Sequence, residues 1–133
     1  MKFNIGDTAE ETKTITAADI QTFADITGDH NPVHLDEEFA KTTRFGRRIA
    51  HGMLSASLIS AVLANKLPGP GSVYLGQTLR FLAPVFPGDE VTARVTVVDI
   101  RADKPILKLH TVCVNQKGET VIRGEATILA DVR

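Results

Sequence analysis

The chain of 133 residues has the length of one domain, with 43% hydrophobic residues and a formal net charge of −1. That balance, with 5% aromatics and no tryptophan, excludes the basic surface and stacking platforms of a nucleic-acid binder. One cysteine, Cys113, excludes an intrachain disulfide and a thiolate-based metal site.

Met1 to Thr14 is polar and carries no apolar signal core, so a cytoplasmic protein is expected. Thr16-Ala17-Ala18-Asp19 reads as a helix start, with Thr16 as N-cap and Asp19 as its reciprocal acid. Ile20, Phe23, Ala24 and Thr27 continue at helical spacing, and Gly28 supplies the stop. Asp29 to His34 reads as a loop. Asp36 to Lys41 is a second, short helix with three acids at its positive end, and Thr42 to Ala50 is irregular and basic. His51 to Leu67 is the main helix. Met53 to Ala64 is apolar or small on nearly every face, the pattern of a helix buried all round. It is too short for a membrane span, which takes about 20 residues. Pro68-Gly69-Pro70-Gly71 ends it.

Strand character takes over after Gly71. Ser72 to Phe81 is extended, with Gly76 marking a bulge. Glu90 to Val97 alternates, placing Val91, Ala93, Val95 and Val97 on one face. Ile106 to Val114 and Glu119 to Leu129 form a hairpin around Asn115–Gly118. Antiparallel strands with one apolar face need a cover, and the apolar helix is the available one. The expected fold is α+β: a single domain over 1–133 with a curved antiparallel sheet wrapped around a central helix.

The chemistry concentrates in Asp29-His30-Asn31-Pro32-Val33-His34. Pro32 fixes its own φ and disfavours the α region for Asn31, so the run stiffens into a turn. A carboxylate and an imidazole five positions apart are the minimum equipment for acid–base work. Such a pair also arises by chance, with the acid capping a turn and the histidine on the surface. Gly28 before it, and His51-Gly52 downstream, favour the functional reading.

The element order resembles the hot-dog fold, and the Asp29–His34 run is similar to the Asp-x-Asn-Pro-x-His signature of the MaoC-like (R)-specific enoyl-CoA hydratases. Phe45-Gly46-Arg47-Arg48-Ile49-Ala50-His51-Gly52-Met53 resembles that family's second motif, with Arg48 where the family usually has proline. Val73-Tyr74-Leu75-Gly76-Gln77 and Pro84-Val85-Phe86-Pro87-Gly88-Asp89 fit as well. The resemblance implies reversible addition of water to trans-2-enoyl-CoA, giving (R)-3-hydroxyacyl-CoA. It implies that Asp29 activates the water, that His34 holds it and exchanges the proton, and that Asn31 orients either. It implies too that the Gly52 N–H receives the thioester oxygen at the start of the main helix.

Each residue also has a plainer reading. Asn31 can simply serve the turn, Gly52 can allow tight packing, and His51 can bond loop backbone. Hydroxyls of Ser55, Ser57 and Ser60 are expected to bond back to the preceding turn. The resemblance points to Ser60 and Leu63 as acyl-pocket residues. Arg47 and Arg48, with Lys41 and Arg44, suit the phosphates of coenzyme A, which enters as part of the substrate. No separate cofactor or metal is expected. Open sheet edges and the family's habit imply a homodimer. The alternatives are a 3-hydroxyacyl-acyl-carrier-protein dehydratase and a non-catalytic acyl-CoA-binding protein of the same fold.

Overall fold

The computed structural model describes residues 2–131, so the single-domain span of 1–133 includes three positions outside it. Strand β1 (Thr8–Thr14) precedes helix α1 (Ala17–Thr27). Local chemistry fixes α1: Asp19 N–H donates to the Thr16 hydroxyl at 3.0 Å, and Thr16 N–H to the Asp19 carboxylate at 3.0 Å. Gly28 ends the helix at φ 80°, a left-handed conformation open to glycine.

One local expectation is corrected immediately afterwards. The Asp29–His34 run is not loop throughout, because Pro32–Leu35 forms a single helical turn, α2. Asn31 is its N-cap, accepting the Val33 N–H at 3.1 Å. Pro32 occupies the first position, where its missing N–H is no loss and its φ is already helical. Asp36 then caps α3 (Glu37–Lys41), accepting the Phe39 N–H at 3.1 Å.

The main helix α4 (Gly52–Asn65) leads to β2 (Val73–Gln77), β3 (Arg80–Phe81), β4 (Glu90–Ile100), β5 (Ile106–Val114) and β6 (Thr120–Leu129). The strands form one antiparallel sheet in the order β1-β4-β5-β6-β2, with β3 also on β6. Val91, Ala93, Val95 and Val97 are fully buried, as their alternation predicts. They share the core with Ile59, Val62 and Leu63 of α4, which packs on β4, β5 and β1. This is the hot-dog arrangement. The register of β2 slips between Tyr74 and Gly76, where the bulge was expected.

Two further expectations change. Helix α4 is not buried all round: Met53, Ser57, Ala61 and Ala64 are exposed. The sheet covers one side of the helix only, and the other small, apolar side is left open. The N-terminal segment, read only as polar, supplies edge strand β1, pinned to β4 by Thr12–Thr92 hydroxyls at 2.7 Å and by Arg94–Glu10 at 2.8 Å. Among the described residues no helix is long and apolar enough to cross a membrane.

Candidate active site

Asp29 leaves α1 just past the left-handed glycine, and its carboxylate accepts the Asn31 N–H at 3.3 Å. His34 stands on the Pro32 turn. Its Nδ1 lies 2.8 Å from the Ile49 carbonyl, which can only accept, so Nδ1 carries the proton and Nε2 keeps its lone pair. Burial lowers the His34 pKa below 6.5, against the Ile49 bond that raises it; the neighbouring His51 lowers it further and the Asp29 charge raises it. The neutral imidazole, with a basic Nε2, is thereby favoured.

His51 joins the pair. One carboxylate oxygen of Asp29 and one ring nitrogen each of His34 and His51 all lie within 4.8 Å of one another. The two rings stack with centroids 3.9 Å apart at 30°. Among the described residues this trio is the set that offers metal ligands. Stacked rings aim their in-plane lone pairs side by side rather than at one point, so the geometry suits proton handling better than coordination.

A cavity of about 450 Å³ opens on His34. Gly52, Phe45, Phe81 and Val85 line it, with Arg44 and Ser55. Asp29 is exposed and outside that wall, beside the His34 that lines it. The N–H groups of Gly52 and Met53 lie in the first turn of α4 and have no intrahelical acceptor, and among the described residues the N-cap His51 supplies no side-chain bond. Gly52 is pressed by Phe81: a Cβ there would lie 2.6 Å from its Cε1.

The remaining expected site residues separate. Ser60 lines a second cavity, about 540 Å³, with Phe23, Tyr74 and Leu79. Leu63 lines neither cavity; at 2% exposure it is core, because its helix face turns to the sheet. The Arg47 guanidinium lies over the Phe86 ring at 3.9 Å, and Arg48 pairs with Glu37 at 3.1 Å. Both are occupied outside the cavity wall, and Arg44 is the cluster member that reaches it. Asn31 spends its side-chain oxygen on the cap, as the plainer reading had it. Ser57 bonds back to Leu54 O at 2.5 Å as expected, but the fully buried Ser55 hydroxyl has no hydrogen-bond partner among the described residues. Sequence reasoning missed Phe81 and Ser55 in the cavity wall; their polarity and spacing carry no signal for it.

A sheet wrapped on one helix, with Asp29 and His34 brought together at the helix mouth, defines a protein of the hot-dog class. The chain belongs to the MaoC-like family: that domain model matches residues 4–120. It is 49% identical over 128 residues to an (R)-specific enoyl-CoA hydratase of Rhodospirillum rubrum, covering 96% of this chain and 88% of that protein. It is 51% identical to the hydratase of the same name from Aeromonas caviae, covering 93% and 92% of the two chains. The solved structure of an R-hydratase from Pseudomonas aeruginosa superimposes with a TM-score of 0.93 at 48% identity, over 99% of this chain and 84% of that one.

Proposed function

We propose that the chain is an (R)-specific enoyl-CoA hydratase, adding water reversibly to trans-2-enoyl-CoA. The carrying observation is the spacing of Asp29 and His34 beside the cavity. A water donating to two acceptors, each about 2.8 Å away and spread at its own bond angle, needs them about 4.4 Å apart. One carboxylate oxygen of Asp29 and one ring nitrogen of His34 lie no more than 4.8 Å apart, which supports such a shared water.

In this reading His34 Nε2 takes one proton of the water as its oxygen bonds carbon 3. The same proton goes to carbon 2 on the same face, a syn addition. Asp29 accepts the water's other hydrogen and balances the transient imidazolium. Negative charge that builds on the thioester oxygen is met by the Gly52 N–H at the positive end of α4. Arg44 at the cavity wall faces the coenzyme A phosphates, and Ser60 belongs to the acyl pocket. The apolar surface left open on Met53, Val73, Leu75 and Phe81 supports a homodimer joined along β2. Light scattering at 14.4 kDa instead of twice that would overturn the dimer.

The test is loss of the conjugated thioester's ultraviolet absorbance on crotonyl-CoA, with chiral analysis of the product. Asp29→Asn and His34→Gln should each lower kcat about 10²–10⁴-fold, and the double variant should fall far short of additive. Faster turnover of the carrier-protein thioester would transfer the reading to the dehydratase. No turnover of either would leave an acyl-CoA-binding protein.

A further inference from the structure

His51 holds polar groups that the proposed reaction does not use. It is 2% exposed, yet its ring does not cap the helix it precedes. Its Nε2 instead reaches the main-chain carbonyl of Asp29, 22 residues earlier, at 3.0 Å. A carbonyl accepts only, so Nε2 is the protonated nitrogen and Nδ1 is left as a bare acceptor. That Nδ1 is buried with no hydrogen-bond partner among the described residues. An unpaired buried acceptor is destabilising, and a phenyl ring would fill the space without it. Packing alone therefore does not account for an imidazole here.

The contacts do. One ring nitrogen ties down the backbone of Asp29. One ring face lies on His34 at 3.9 Å, and Phe23 closes in at 4.8 Å and 53°. Asp29 is exposed, and its side chain is otherwise tethered by the long Asn31 bond of 3.3 Å. Its carboxylate therefore goes where its main chain goes. A shared water tolerates little drift between its two acceptors, since a misplacement of about 1 Å can cost 10²-fold in rate.

We infer that His51 is a positioning residue, which sets the distance between Asp29 and His34 through its hydrogen bond to the backbone of Asp29, while its ring only fills the space against His34. It touches neither water nor substrate. The inference rests on the hydratase reading, and turnover of crotonyl-CoA by the unaltered protein decides that reading separately.

Two variants dissect the contacts. Glutamine places its amide nitrogen as many bonds from Cα as histidine places Nε2, so His51→Gln keeps the donor to Asp29. His51→Phe keeps the ring and loses the donor. With turnover established, His51→Phe should lower kcat about 10–100-fold, the usual effect of losing an outer partner of a reactive group, with KM within about twofold. His51→Gln should restore kcat to within about threefold. In an Asp29→Asn background His51→Phe should cost less than about threefold more, because its target is already disabled. A native kcat in His51→Phe, equal losses in both variants, or the full loss repeated without the Asp29 carboxylate would each overturn the inference. Should His51→Phe not fold, a more than tenfold loss of kcat in folded His51→Gln overturns it alone.

Discussion

Gly52→Ala separates the catalytic role of this glycine from a packing role. The new Cβ would stand 2.6 Å and 2.7 Å from Cε1 and Cδ1 of Phe81, where ordinary carbon contacts begin near 3.5 Å. The Phe81 ring must therefore retreat by roughly 1 Å. It is a half-exposed side chain on a two-residue strand, so it can swing outward at about 0.5–1.5 kcal/mol of rotamer strain. Alanine regains about 0.5–1 kcal/mol over glycine in a helix. The two nearly cancel, and the urea midpoint should move by less than about 1 kcal/mol equivalent. Activity should not survive as well. The methyl occupies the approach to the Gly52 N–H, and loss of one such donor costs about 10²–10³ in kcat, or roughly 2.7–4 kcal/mol. Steady-state hydration of crotonyl-CoA beside urea unfolding measures both effects. A stable variant with kcat within threefold of the parent would remove the N–H from the mechanism. A variant that unfolds would return Gly52 to the packing role.

Because the folded-state pKa of His34 lies below its 6.5 reference, the unfolded chain binds this proton more readily. Its contribution to stability is complete above pH 6.5 and is lost as pH falls through that value towards the folded one. His34→Gln should flatten that part of a urea-midpoint profile, and an unchanged slope would refute the assignment. Gly124→Ala should destabilise by about 3 kcal/mol, because the added carbon would collide with the Thr78 carbonyl, main chain that cannot swing aside; a thermal melt within 2 °C of the parent would contradict this. Arg44→Ala should raise KM for the coenzyme A thioester several-fold with kcat nearly unchanged, whereas Arg48→Ala, already paired to Glu37, should do so less. The reverse order, read by steady-state kinetics, would put the phosphates on the other side of the loop.

Short-range chemistry was the legible part of this sequence. The Thr16–Asp19 box, the Gly28 stop and the β4 alternation each rest on neighbours a few residues apart, and each stands in the structure. Strand β1 was not legible. Its residues TAEETKT have no apolar alternation, and its threonines and Glu10 find their partners 80 or more residues away. The pair Asp29 and His34 was readable as a motif, and the structure brings a carboxylate oxygen of one and a ring nitrogen of the other within 4.8 Å. Leu63 was not readable, because uniform apolarity hides the rotational phase of α4; Ser60 faces a cavity and Leu63, three residues on, faces the core. The same uniformity hid the open side of the helix, since composition does not say whether the cover comes from this chain or a second one.

The site and the core are held by different forces, and this explains how the reactive turn can be polar, exposed and still well placed. The core is β4, β5 and β6 closed on Ile59, Val62 and Leu63, a contact whose energy scales with buried apolar area. The reactive segment rests on a lattice of main-chain bonds: His34 to Ile49 O, Ile49 N–H to Val33 O at 3.2 Å, Ala50 N–H to Val85 O at 2.7 Å, and His51 to Asp29 O. Each contributes only about 1 kcal/mol net, but together they tie the turn, the basic loop and the strand-side loop to the first residues of α4. Main-chain carbonyls do not titrate, and they move only if the backbone moves. A carbonyl only accepts, so each of these bonds selects which ring nitrogen of His34 and His51 carries the proton. Asp29 thereby remains open to solvent while its main chain is held from the buried side by His51.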